Sequence, residues 1–346
     1  MDKKFYFLCV NGTHGGPEAI HQIVDKINCA TKYKAYVVYF EKGFTPQEKF
    51  KDFKVNYIPL CDVPDGVQTV LCAPETHTHY FKKFKNATKV MVWLSLDYYL
   101  RNIKEQSCNF TEACKMTYYR SRLPKPFYPL LFVRDRLFRK KKYFVFDDDT
   151  VLHTYNCEYV ASFLRKKGVK EENTAFLDGP VRKEYFENLE YNKQNIIAYN
   201  PAKGAQNYIA PIIKALQSKY SDLKLVPIQN MSVKEVKKTF LRAKAYFDFG
   251  SFPGPEKLVK ESALCGCNIV TGIFGAAKND SDILIPKNCK IDVEKESAEK
   301  IADIIADRVY NYEKHFAEYD RYRAFIKNLN DTFEQTVINF TEFCNR

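Results

Sequence analysis

Apolar residues in the first half of the chain gather into short blocks. The blocks are residues 5–10, 35–40, 69–73, 89–96 and 143–146. Runs of that length without strict alternation read as buried strands. Helical or mixed stretches separate them, and strands alternating with helices imply a mainly parallel sheet. Residues 158–169 read as a short helix, with Gly168 just past a basic last turn. The stretch 174–180 closes this part, and the charged run 181–195 reads as a linker. The second half is more regular. Strands are expected at 195–200, 223–228, 245–250 and 267–272, with helices at 207–220, 233–243 and 256–266. Pro211 permits a bend in the first of those helices, and residues 297–343 read as a long helical end.

Two segments share one plan. Residues 4–27 run from an apolar block through the turn NGTHGG into PEAIHQIVDKI. Residues 195–217 run from NIIAY through NPAKGAQ into NYIAPIIKALQ. A buried strand, a tight Gly-bearing turn and an amphipathic helix open a Rossmann-like α/β domain. Two openings in 346 residues predict two such domains facing across a cleft. The expected division is a domain at 1–180, a second at 194–320, and a C-terminal helix, 321–346, crossing back onto the first.

The formal net charge is +12, from 54 basic and 42 acidic residues, which implies an anionic partner. Arg134, Arg136, Arg139, Lys140, Lys141 and Lys142 follow the apolar PKPFYPLLF. That pairing fits either a patch on an anionic membrane surface or a solvated helix face. No zinc-finger, KH or RRM signature accompanies the charge, so nucleic acid is not the expected partner. No stretch reaches the ~18 apolar residues of a membrane span. The first apolar run lacks the length and cleavage site of a signal peptide, so a cytoplasmic location is expected. The 11 cysteines include one CxC, Cys265 and Cys267, and no four-ligand zinc spacing. Reduced structural thiols are expected.

The densest candidate chemistry lies in GSFPGPEKLVKESALCGCNIVTGIFGAAKN, residues 250–279. A strand ends at Phe249, and the Gly250–Gly254 loop feeds a helix whose first turn is expected to hold Pro255 and Glu256. Helix-opening N–H groups suit anionic oxygens. Lys257, Lys260 and Glu261 follow; as an isolated surface helix, these would form i,i+4 ion pairs.

This segment resembles the C-terminal domain of GT-B glycosyltransferases, above all the retaining family of capsule and lipopolysaccharide assembly. That family carries two acids in an E-x7-E pattern. Glu261 with SALCGCNIV looks like the second acid, which the resemblance assigns to the ribose hydroxyls. Pro253 stands where the first acid belongs, and Glu256 is the candidate substitute. YNPAKGAQ resembles the basic turn opening that domain. Lys203 would neutralise the diphosphate leaving group, or it is a solvated loop lysine. The turn at Gly15 and Gly16 resembles the Gly-Gly turn that lets backbone approach a ligand; a plain βα turn using Gly for φ > 0 is the alternative. His14 is a cleft residue or a turn histidine.

The implied function is transfer of a sugar from a nucleotide-diphosphate donor to a hydroxyl of a growing surface glycan or lipid-linked glycan. Retention and independence of metal or cofactor are expected. Lys203, Glu256 and Asp97 are the catalytic candidates. Gly15, Gly16, Asn200, Lys203, Gly254, Glu256, Lys257, Lys260 and Glu261 are the donor-binding candidates. Asp97, ending a strand-like block, would orient the acceptor or cap a turn. Asp147, Asp148 and Asp149 read as an acidic turn more readily than as a metal-binding DxD, and His153 as a structural histidine. Two rivals stay open. An NAD-dependent enzyme would want G-x-G-x-x-G, whereas the first turn reads G-x-x-G-G. A non-catalytic nucleotide-sugar or glycan-binding protein would account for the missing first acid.

Overall fold

The computed structural model describes residues 2–107, 129–130, 133, 142–202 and 206–346. They form two compact units. The first comprises Met1–Tyr155, Phe163–Leu177 and Val337–Arg346; the second comprises Asn156–Ser162 and Asp178–Thr336.

The first unit holds seven strands: β1 (Lys4–Leu8), β2 (Lys34–Tyr39), β3 (Asn56–Pro59), β4 (Thr69–Pro74), β5 (Thr88–Val92), β6 (Leu152–Tyr155) and β7 (Thr174–Phe176). Their order is β3-β2-β1-β4-β5-β6-β7, every pair parallel. This is the doubly wound dinucleotide-fold order extended by one strand. The two central strands read as near-continuous apolar runs because both of their faces are covered: four of five β1 residues and all six of β4 are buried.

The block 143–146 is not a strand. Phe146 takes φ 62°, and the chain turns its rings inward instead of pairing its backbone. Phe146 lies 5.5 Å from the His153 ring, Phe144 lies 5.3 Å from Phe146, and β5 pairs directly with β6. Aromatic content alone does not separate a strand from such a cluster. The short strands β3, β6 and β7 lack a long apolar run and were not marked by the pattern.

The second unit holds β8 (Gln194–Tyr199), β9 (Lys224–Pro227), β10 (Ala243–Asp248), β11 (Asn268–Gly272) and β12 (Lys290–Ile291). Their order is β12-β11-β10-β8-β9, again all parallel. Counted within the unit this is 2-1-3-4-5, the other common doubly wound order. Helix Val233–Arg242 opens with a capping box: the Ser232 hydroxyl accepts the Glu235 N–H and the Glu235 carboxylate accepts the Ser232 N–H. Gly168, at φ 78°, closes helix Glu158–Lys166 as its position in the sequence suggested.

The expected long helical end is four helices, Ala298–Tyr310, Tyr312–Phe316, Asp320–Asp331 and Phe333–Phe343. Residues 321–336, grouped by sequence with the terminal helix, belong to the second unit. From Val337 the chain rejoins the first unit, where Phe340 packs 5.9 Å from Phe5 and 6.2 Å from Phe7. Every described cysteine is a free thiol. Cys267 donates to the carbonyls of Phe240 and Ala243, a structural role for the CxC.

Candidate functional site

In a doubly wound sheet the loops at the strand carboxyl ends diverge where the winding reverses, and ligands bind there. The first unit reverses between β1 and β4. β1 leads into Cys9–Gly16, and helix Gly15–Ala30 starts at the twin glycines. None of Gly12, Gly15 and Gly16 has positive φ, so the alternative of a plain βα turn that uses glycine for its backbone conformation does not apply here. A Cβ on Gly16 would meet Leu94 at 3.4 Å, whereas one on Gly15 would meet nothing within 4 Å. Neither backbone geometry nor protein packing demands glycine at position 15.

His14 is exposed, with its ring against the Gly12 and Gly16 backbone. Partial desolvation, then the nearby charge of Lys49, holds its pKa below the ordinary imidazole value, which favours the neutral ring. Lys49 Nζ donates to Thr13 O at 2.6 Å and pairs with Glu18 at 2.8 Å, which pins the turn. Across the switch point stands Glu75, which the sequence reading missed. It is 2% exposed, and its Oε2 accepts the Leu94 N–H at 3.0 Å. Burial pushes its pKa up to about 7. Its only sequence signal is an acid two positions past the apolar block 69–73, after Pro74.

Asp97 lies in the first turn of helix Leu96–Ser107 and not on a strand, since β5 ends at Val92. A carboxylate there complements the helix dipole. Asp148 pairs with Lys89 at 3.1 Å and accepts the Thr150 N–H, the acidic-turn arrangement. His153 accepts the Trp93 indole N–H at Nδ1, and burial drives its pKa to about 4, so it is a neutral structural histidine. Among the described residues no group of three or more His, Cys, Asp or Glu could hold a metal ion.

The second unit reverses between β8 and β10. Asn200, just past β8, and Asp248, the last residue of β10, meet there: Asn200 Nδ2 donates to Asp248 Oδ2 at 2.8 Å. Asp248 also accepts from the Tyr246 hydroxyl at 3.1 Å and the Gly250 N–H at 2.9 Å. The loop beyond carries Gly254, which is buried, and Glu256. Helix Lys257–Leu264 starts one residue later than expected. Glu256 is its N-cap residue, makes no side-chain capping bond, and stays partly exposed. Pro255 therefore precedes the helix and is not in its first turn.

The expected diphosphate contact at Lys260 is corrected. Lys260 is 2% exposed, and its ammonium lies 2.6 Å from Asp178 Oδ2. The helix turns this face into the unit, where an ion pair is needed to offset desolvation. Glu261 is also buried, and its charge, after burial itself, helps raise the pKa of the Tyr185 hydroxyl. Lys257 stays partly exposed. Asn200 is engaged on both sides, its Oδ1 accepting the Ala202 N–H at 3.0 Å. Thus Asn200, Gly254, Glu256 and Lys257 border the carboxyl ends of β8 and β10, while Lys260 and Glu261 are built into the helix packing. Lys203, Arg134, Arg136, Arg139, Lys140 and Lys141 lie outside the described residues; Lys142 is described and exposed.

No family model matches the chain, and no curated protein matches it. Solved structures do. The chain is similar to the lipopolysaccharide outer core galactosyltransferase WaaB, with TM-score 0.60 and 10% identity over 100% of both chains. It is similar to WaaG, a glycosyltransferase involved in lipopolysaccharide biosynthesis, with TM-score 0.52 and 12% identity over 99% of both chains. Anabaena HepE, solved with UDP-glucose, gives TM-score 0.53 at 13% identity over 98% of this chain and 99% of that one. The chain has the GT-B glycosyltransferase fold, each lobe carrying its own parallel sheet.

Proposed function

We propose that this protein transfers a glycosyl group from a nucleoside-diphosphate sugar to an acceptor hydroxyl. The observation that carries the reading is Gly15, a glycine required by neither φ nor packing, at the switch point of a GT-B lobe. A ligand passing close to the backbone at this switch point would account for such a position. In support, HepE was solved with UDP-glucose, and WaaB and WaaG are glycosyltransferases of lipopolysaccharide assembly.

In this reading the second unit holds the donor. Lys257 and Lys203, with the N–H groups opening helix Lys257–Leu264, supply positive potential to the diphosphate as charge develops on it. Glu256 takes a sugar hydroxyl in place of the acid absent at Pro253. The first unit holds the acceptor, with Asp97 and the neutral His14 available to orient its hydroxyl. Retention, metal independence, a surface-glycan acceptor, a cytoplasmic setting and docking of the 134–142 cluster on an anionic membrane face belong to the same proposal.

The test incubates the purified chain with UDP-, GDP- and ADP-sugars and measures release of nucleoside diphosphate, with and without glycan acceptors. Release is expected from one donor class and is reduced in Glu256→Gln and Lys203→Ala. Pro253, at the position of the first acid, favours a second reading: a sugar-nucleotide-binding protein without turnover. Binding of a donor with no release, in the presence of any acceptor tried, would select it.

A further inference from the structure

We infer that Asp248 is a positioning residue for the nucleotide: its buried carboxylate locks residues 200–202, directly after β8, to the loop after β10, so that these two segments meet the diphosphate in one fixed arrangement. The inference rests on the donor reading above. Asp248 is 1% exposed and does not itself face a ligand. Three donors converge on it from three places: Asn200 Nδ2, the Tyr246 hydroxyl and the Gly250 N–H. An ionised carboxylate accepts three hydrogen bonds without presenting a hydrogen of its own, which an amide cannot do.

The lock extends outward on both sides. Asn200 passes the constraint to its turn through Ala202 N–H to Oδ1, and its own N–H is held by Phe247 O at 3.2 Å. The loop after β10 is fixed again farther on, where the Ala276 N–H donates to Phe252 O at 2.8 Å. Tyr246 and Asp248 are alternate residues of one strand and share a face, so the strand orients the carboxylate. Residues 200–202 at the start of the second lobe's first turn are therefore tied to the start of the loop that carries Gly254 and Glu256. Preorganised backbone of that kind raises affinity by removing ordering costs at binding.

The experiment titrates UDP, GDP and ADP separately into the full chain by calorimetry and records each variant's melting curve without ligand. The variants are Asp248→Asn, Asn200→Asp, the reciprocal double Asn200→Asp/Asp248→Asn, and Tyr246→Phe. Asp248→Asn sets one amide hydrogen-bond donor against another and is expected to weaken nucleotide binding about tenfold or more. The double variant restores a carboxylate–amide pair and is expected to recover affinity to within about threefold of the parent, as is Tyr246→Phe, which keeps both loop bonds. Should Asp248→Asn fail to fold, Asn200→Asp, which sets two carboxylates against each other and is expected to weaken binding as much, and the double variant carry the test. Asp248→Asn and Asn200→Asp variants that bind as the parent does, or a double variant that folds without recovering affinity, overturn the inference while leaving the donor reading intact. A parent chain that binds none of the three nucleotides overturns both.

Discussion

At the scale of single residues, two buried titratable groups act on stability with opposite sign. His153 has its pKa lowered to about 4, so the unfolded chain binds the proton first as pH falls below the ordinary imidazole value. Its contribution is complete at neutral pH and lost on the way down to pH 4. Glu75 has its pKa raised to about 7, so the folded chain holds the proton longer, and stability falls as pH rises from the ordinary carboxyl value to 7. At 1.36 kcal/mol per pKa unit each is worth about 3 kcal/mol, and between roughly pH 4.5 and 6.5 they oppose each other. Glu75→Gln is expected to expose the histidine slope: denaturant midpoints measured from pH 5 to 7 should rise more steeply in the variant than in the parent. Gly15 gives a second expectation. Gly15→Ala should leave stability unchanged or raise it by about 0.4–1 kcal/mol, because the site has room and ordinary φ. If a ligand packs there, turnover or nucleotide binding falls all the same, and the two measurements separate the roles.

At the scale of elements, loops and helix ends are held by specific polar devices. Lys193 Nζ donates to the carbonyls of Phe240, Ala243 and Cys265 at 2.7–2.9 Å. It thereby closes the carboxyl ends of helices Val233–Arg242 and Lys257–Leu264, and burial lowers its pKa. Lys193→Met removes the ammonium from three carbonyls, leaving those of Phe240 and Ala243 only the weak Cys267 thiol donor, and is expected to cost about 3–5 kcal/mol in chemical denaturation. Gly275 sits at φ 51°, where an added Cβ would lie 1.9 Å from Phe252 O. Gly275→Ala should cost about 2–4 kcal/mol and loosen the loop that carries Glu256. The sequence showed the central strands of both sheets, whose long apolar runs follow from burial on both faces. It did not show β3, β6, β7 or β12, which are short and lie toward the sheet edges. It misplaced 143–146, because an aromatic run packs equally well as a strand or as an irregular cluster.

At the scale of the whole chain, the C-terminus completes the first unit. Val337, Phe340, Phe343 and Cys344 are buried there. Truncation after Thr336 removes them and uncovers Phe5 and Phe7, so calorimetry should show the first unit's transition lowered by tens of degrees or lost, with the second unit's less affected. The positions of the Gly15–Gly16 turn and of the Gly250–Glu256 loop at strand carboxyl ends were legible because turn chemistry and chain neighbourhood coincide there. Lys260 was read as a ligand-facing cation because sequence gives the helix without its rotation; packing turned it toward Asp178, on a segment far away in sequence.

The amino-acid order by itself determined that there are two doubly wound units, since periodicity and turn chemistry are local properties of the chain. Only tertiary structure decided which polar side chains face outward and which are consumed in holding loops together. Glu75, Asp248 and Lys193 gain their roles from partners brought near by sheet order and helix packing, and a buried group's ionisation depends on that surrounding protein.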